Sequence, residues 1–196
     1  MCKILCITNS SDCDFDFINH IDTLARSDIY AIVLREKHLN EAEYYELAVK
    51  VLEVCNKHNK PYILHNYIDT AINLKHRAIH LPLPVFEKST NKLKKFDVIG
   101  VSVHSVEQAV MAEKLGATYI TYGHIFSTDC KKDLPPRGVD SIKKILNAVN
   151  IPVYSLGGIT VNNYKQVIAQ GTDGFAVMSG LMKKGFEKYL EISANE

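Results

Sequence analysis

The chain has 196 residues, 46% hydrophobic and 23% charged, which suits an ordinary globular protein with one sizeable core. Its formal net charge of +1 gives no global field favouring nucleic acid or an acidic membrane surface. No apolar run approaches the roughly 18 residues needed to cross a bilayer, and the start, Met1-Cys-Lys-Ile-Leu-Cys-Ile7, lacks a signal-peptide layout, so a cytoplasmic protein is expected.

Ile4–Thr8 is the first short apolar run with β character, and Phe15–Arg26 has a helical pattern after it. Ala31–Leu34 is a second strand. Glu41–His58 then sets Tyr44, Leu47, Ala48, Val51 and Val54 or Cys55 at helical spacing. Tyr62–Leu64 and Ala78–Leu81 are strands followed by short helical candidates at Asp69–Leu74 and Val85–Leu93. Val98–Val103 leads to a helix over Ser105–Leu115, which opens on the capping pattern Ser105-x-x-Gln108 and stops at Gly116. Tyr119–Tyr122 is the sixth strand. The Val139–Val149 helix ends before Ile151-Pro152. Val153–Leu156, a helix at Thr160–Gln170, Phe175–Met178 and a helix at Leu181–Ile192 complete the chain.

Several of these strands are almost continuously apolar, the pattern of parallel strands buried on both faces. Eight strands alternating with helices predict a single compact (β/α)₈ TIM barrel over residues 1–196. An open doubly wound sheet is the weaker reading, because neither G-x-G-x-x-G nor a Walker A sequence follows the first strand. Polar residues also end nearly every strand, as the functional face of a barrel requires: Thr8-Asn9, Arg35-Glu36-Lys37, His65-Asn66, His80, Ser102-His104, His124, Gly157-Gly158 and Ser179-Gly180.

Two of those ends suit an anion. Glycines at Gly157-Gly158 and Gly180 let backbone N–H groups approach a phosphate, and Ser179-Gly180 opens a helix. Alternation along a strand puts Arg35 and Lys37 on one side, where both could grip an anion. His124, just past the sixth strand, could take and return a proton near neutral pH. Thr128 and Lys131 follow in the same loop, and Ser102 ends the fifth strand. His20, His38, His58 and His76 fall on predicted surfaces. The five cysteines (Cys2, Cys6, Cys13, Cys55 and Cys130) are odd in number and form no C-x-x-C, which disfavours a disulfide framework or a thiolate zinc site. No H-E-x-x-H pattern and no paired carboxylates mark a metal site, so neither metal nor cofactor is expected.

Leu34-Arg-Glu-Lys37, Gly100-Val-Ser-Val-His-Ser105, Gly116-Ala-Thr-Tyr119, Gly123-His-Ile-Phe-x-Thr128, Lys131, Leu156-Gly-Gly-Ile159 and Gly171-Thr-Asp-Gly174 occur in this order. Together they resemble the thiamin phosphate synthase/TenI superfamily, itself a (β/α)₈ fold. The resemblance implies one of two activities. A synthase joins a pyrimidine diphosphate to a thiazole phosphate using magnesium. A TenI-type thiazole tautomerase aromatises a thiazole carboxylate phosphate without metal. The synthase pattern has an Asn-Asp pair where this chain has His65-Asn66, and an acidic residue near Val85. It also has glutamine at Val33 and Gly-Pro-Ile-Phe at Gly123-His-Ile-Phe126.

These departures make the tautomerase the sequence-based expectation. His124 would be the proton shuttle. Gly157, Gly158, Ser179 and Gly180 would hold the substrate phosphate, and Arg35, Lys37 and Lys131 would stabilise the substrate's carboxylate or the developing anion. Ser102 and Thr128 would be weaker contacts. The expected partner is a small phosphorylated thiazole, with no nucleic acid or membrane, and the barrel helices could support a homodimer. The synthase and a non-catalytic phosphate-binding regulator are the alternatives.

Overall fold

The computed structural model describes residues 2–128 and 134–195. Eight strands run in parallel and pair in sequence order into a closed barrel, as the strand count predicts. They are β1 (Lys3–Ile7), β2 (Ala31–Leu34), β3 (Tyr62–His65), β4 (Ala78–Pro82), β5 (Val98–Val103), β6 (Tyr119–Gly123), β7 (Val153–Leu156) and β8 (Gly174–Val177). The helices are α1 (Phe17–Arg26), α2 (Glu41–Lys57), α3 (Ile68–Asn73), α4 (Leu83–Lys88), α5 (Thr90–Leu93), α6 (Val106–Lys114), α7 (Ser141–Leu146), α8 (Tyr164–Ile168), α9 (Ser179–Met182) and α10 (Glu187–Asn195).

Local chemistry explains the ends. Asn40 and Glu43 form a reciprocal capping box at the start of α2. Ser105 accepts from the Gln108 N–H at the start of α6, while the Gln108 side chain accepts from His104 N rather than from Ser105. Two predicted helices are each split. Val85–Leu93 becomes α4 and α5, which meet at Ser89, whose backbone (φ −118°, ψ 11°) is not helical. Leu181–Ile192 becomes α9 and α10, separated by extended Lys183 and by Gly185 at φ +86°. His20 is buried rather than on the surface, and its Nε2–H donates to the Leu181 carbonyl over 2.6 Å.

Strand residues alternate between two cores. Ile4, Cys6, Ile32, Leu34, Leu64, Ile79, Val101, Ile120 and Phe175 pack outward against the helices. Leu5, Ile7, Ala31, Val33, Ile63, Tyr119, Tyr154 and Ala176 fill the barrel interior. Tyr119 is the largest plug beside Tyr154, with ring centroids 5.7 Å apart in an edge-to-face arrangement. Its phenol occupies the space over Gly100, where an added Cβ would lie 2.3 Å from the Tyr119 oxygen and 2.4 Å from His80 Nδ1.

Gly100 is therefore a packing requirement. Gly100→Ala should destabilise the fold by about 1–3 kcal/mol through overpacking, read from urea unfolding midpoints. An unchanged midpoint would show that the interior yields freely.

Candidate active site

The C-terminal ends of the strands surround a cavity of about 370 Å³. Arg35, Lys37, Ser102, His124, Thr128, Gly157, Gly158, Ser179 and Gly180 all line it, drawn from five strand ends and the loop after β6. Lys131 and Cys130 lie outside the described residues. A more open cleft of about 520 Å³ sits elsewhere, beside Glu41, Asn66, Tyr67, Asp69 and Lys92. Its charges are already paired in part, with Lys92 on Asp69 at 2.7 Å.

Arg35 and Lys37 face the cavity, while Glu36 between them does not line it. The Glu36 carboxylate is buried and accepts from Thr8 Oγ1 and from Ser10 N and Oγ, tying the β1 loop to β2. Arg35 reaches across β1 to the β8 end, where its Nη1 lies 3.6 Å from the Met178 sulfur.

The loops after β6 and β7 are locked together. Ile125 N donates to Leu156 O and Phe126 N to Gly157 O. A Cβ on Gly157 would lie 2.3 Å from His124 Cβ, and one on Gly158 2.4 Å from Ser127 O. Both glycines also have positive φ, +99° and +65°. They are needed for this backbone approach. Among the described residues, the N–H groups of Gly157, Gly158, Ser179 and Gly180 have no backbone acceptor outside their own elements. The α9 helix has only four residues, so its contribution is these individual N–H groups rather than a long dipole.

His124 is 4% exposed. Its Nε2 lies 3.2 Å from the Leu134 carbonyl, which can only accept, so Nε2 carries the proton. Nδ1 is buried, and among the described residues it has no hydrogen-bond partner. The preceding carbonyl, Gly123 O, accepts from both His104 Nδ1 (2.8 Å) and Arg137 Nε (3.0 Å). Arg137 N and Gly138 N in turn donate to His124 O and Ile125 O. Arg137, which local sequence leaves without a role, thus helps to brace the His124 segment.

Deeper in the barrel, His80 Nδ1 contacts the Tyr119 hydroxyl (2.9 Å) and Nε2 contacts Ser102 Oγ (2.8 Å). Thr121 Oγ1 donates to Ser102 at 3.2 Å, and the His65 ring stacks on His80 at 5.9 Å. Burial pushes the His80 imidazole down to about 3 from its ordinary 6.5. His65 is also held well below the ordinary value, by burial first, then by the charges of His80, Arg35 and Lys37. Both rings are neutral at physiological pH.

Residues 4–181 match the sequence profile of the family described as thiamine monophosphate synthase. The chain belongs to that family. It is 34% identical over 170 residues to the thiamine-phosphate synthase of Clostridium acetobutylicum, covering 85% of this chain and 80% of that one. It is 32% identical to the thiamine-phosphate synthase of Fusobacterium nucleatum, covering 97% and 96%. In structure it resembles the thiamine phosphate pyrophosphorylase from Pyrococcus furiosus, with TM-score 0.85, 26% identity, and 98% and 93% of the two chains covered.

These findings overturn the expectation of a tautomerase, an isomerase. The curated relatives bear the name of a transferase, and the likeness extends over most of the chain. The tautomerase reading rested on a few mouth positions, which a family can vary while keeping its fold.

Magnesium, which the family resemblance implies, takes hard oxygen ligands in near-octahedral geometry. Among the described residues no carboxylate lines the cavity, and no three His, Cys, Asp or Glu converge as a metal site. Both His80 nitrogens are engaged, Asn66 faces the separate open cleft, and Val85 in α4 does not line the cavity. The described residues of the mouth do not fit a magnesium ion. Among the described residues no helix is long and apolar enough to cross a membrane.

The neutral histidines make stability depend on pH. Between about 6.5 and about 3, unfolded His80 binds a proton that the folded ring refuses. Stability should therefore fall as pH drops through this window, by at most about 1.4 kcal/mol per pH unit per histidine. His80→Asn should flatten the decline between pH 7 and pH 5 in urea titrations. A slope equal to wild type would show that His80 does not set it.

Proposed function

We propose that this chain is a cytoplasmic transferase of the thiamine-phosphate synthase type, joining a pyrimidine diphosphate to a thiazole phosphate. One observation carries the reading: two sets of anion-binding groups open into one cavity. The Gly157-Gly158 and Ser179-Gly180 loops offer backbone N–H groups, and Arg35 and Lys37 offer cations beside them. A pair of phosphorylated substrates needs both. The names of the relatives support the same choice.

In this reading the glycine loops hold the thiazole phosphate. Arg35 and Lys37 receive the charge that develops as diphosphate leaves, since in a partly buried mouth fixed cations act more strongly than in water. Ser102, anchored by His80 and Thr121, and Thr128 orient the ring portions of the substrates. His124, which lines the same cavity, lies beside the bound ligand. Magnesium, where a synthase holds it, neutralises diphosphate. The described mouth residues offer no place for it, so that duty is assigned here to the two cations.

The lack of carboxylates at the described mouth favours a second reading, binding of a phosphorylated ligand without coupling. Incubation with both substrates, followed by detection of thiamine phosphate with magnesium and with chelator, separates the two. Coupling should occur, and Arg35→Ala should lower kcat/KM roughly 100-fold while thiazole phosphate still binds. Thiazole phosphate binding without product under either condition would replace the transferase with the second reading. No binding at all would remove both.

A further inference from the structure

The family profile ends at residue 181, yet α10, beyond it, sends one side chain back into the cavity. Tyr189, in the first turn of α10, is only 9% exposed and lines the mouth at the glycine loops. Its ring lies over Gly180. A Cβ there would be 2.4 Å from the Tyr189 oxygen and 2.7 Å from Cε2, so the missing side chain at Gly180 is what lets the phenol in. On its other side the hydroxyl meets the loop after β7, at the Ile159 carbonyl. The phenol oxygen therefore sits at the seam between the two loops.

We propose that Tyr189 is a phosphate ligand of this site, its hydroxyl donating a hydrogen bond to a phosphate oxygen held by the Gly157-Gly158 and Ser179-Gly180 loops. The hydroxyl is underused as it stands. Its distance to Ile159 O is 3.5 Å, at the limit of hydrogen bonding and far from the usual 2.7–2.8 Å of an O–H···O bond. A buried donor so poorly satisfied gains from a charged acceptor, and such bonds are about twice as strong as neutral ones. Burial also raises the phenol above its ordinary range, so the group stays an O–H donor at physiological pH. The C-terminal helix then becomes part of the binding site as well as of the barrel wall. The segment carrying it is anchored nearby, with Lys184 N on Asp14 Oδ2 at 3.0 Å and Asp14 N on Met182 O at 3.0 Å.

The proposal rests on the glycine loops being the phosphate cradle, and the test keeps the two apart. Calorimetric titration of the full chain with thiazole phosphate, with inorganic phosphate and with the unphosphorylated thiazole alcohol should be compared between wild type and Tyr189→Phe. Phenylalanine keeps the ring over Gly180. Tyr189→Phe should weaken both phosphate-bearing probes about tenfold and leave the alcohol unchanged. A second measurement uses wild type alone: the ring-carbon NMR signal of labelled Tyr189 next to its hydroxyl should move on phosphate addition. Equal phosphate affinity in wild type and Tyr189→Phe, with a stationary Tyr189 signal, would overturn the assignment and leave the cradle intact. So would equal weakening of all three probes, which marks a purely structural role. Failure of wild type to bind either phosphate probe would overturn the cradle itself, and the Tyr189 proposal with it.

Discussion

Pairing of β1 with β8, in register from Lys3–Gly174 to Cys6–Val177, closes the sheet, and the site exists only because of that closure. Closure leaves no sheet edge to protect. It also gathers the C-terminal ends of strands far apart in sequence around one mouth. Arg35 on the β2 side reaches Met178 beyond β8 because only β1 lies between them. In an open sheet of the same strands, β1 and β8 would be opposite edges and no such contact would form.

Within the closed barrel, steric demand and electrostatics divide the work. Glycines are placed where another backbone or ring must come close: Gly100 under Tyr119, Gly157 against His124, and Gly180 under Tyr189. The polar interior is built from neutral groups, His65, His80, Ser102 and Thr121, bonded or stacked to one another. Buried neutral groups with partners cost far less than buried charges. The charges that line the cavity among the described residues, Arg35 and Lys37, are cationic and nearer the rim. Among the described residues the mouth thus carries cations and no carboxylate, beside the backbone N–H groups of the glycine loops.

Departures at single mouth positions do not by themselves change the reaction class. His65-Asn66, Val85 and Gly123-His124 do depart from a magnesium-using pattern, and the described mouth offers a magnesium ion no carboxylates. The relatives that cover most of the chain are named as transferases, and a catalytic duty lost by one set of side chains can pass to another.

Much of this protein was legible in its sequence. The number of strands, their parallel arrangement and the positions of most helices follow from continuous apolar runs and helical spacing, which are local signals. The same holds for the clustering of Arg35, Lys37, His124 and the glycine loops at one end, because strand order alone puts them there once the barrel is assumed. The breaks at Ser89 and Gly185 were not legible, since short helices depend on what they pack against more than on propensity. Nor was the protonation of His124, which follows from a carbonyl ten residues on, or the arrival of Tyr189 beside Gly180, which depends on how α10 docks. The sequence by itself determined the fold and which strand ends meet at the mouth, because period and order are properties of the chain. Only the tertiary structure decided which atoms meet there, because that depends on contacts between segments distant along the chain.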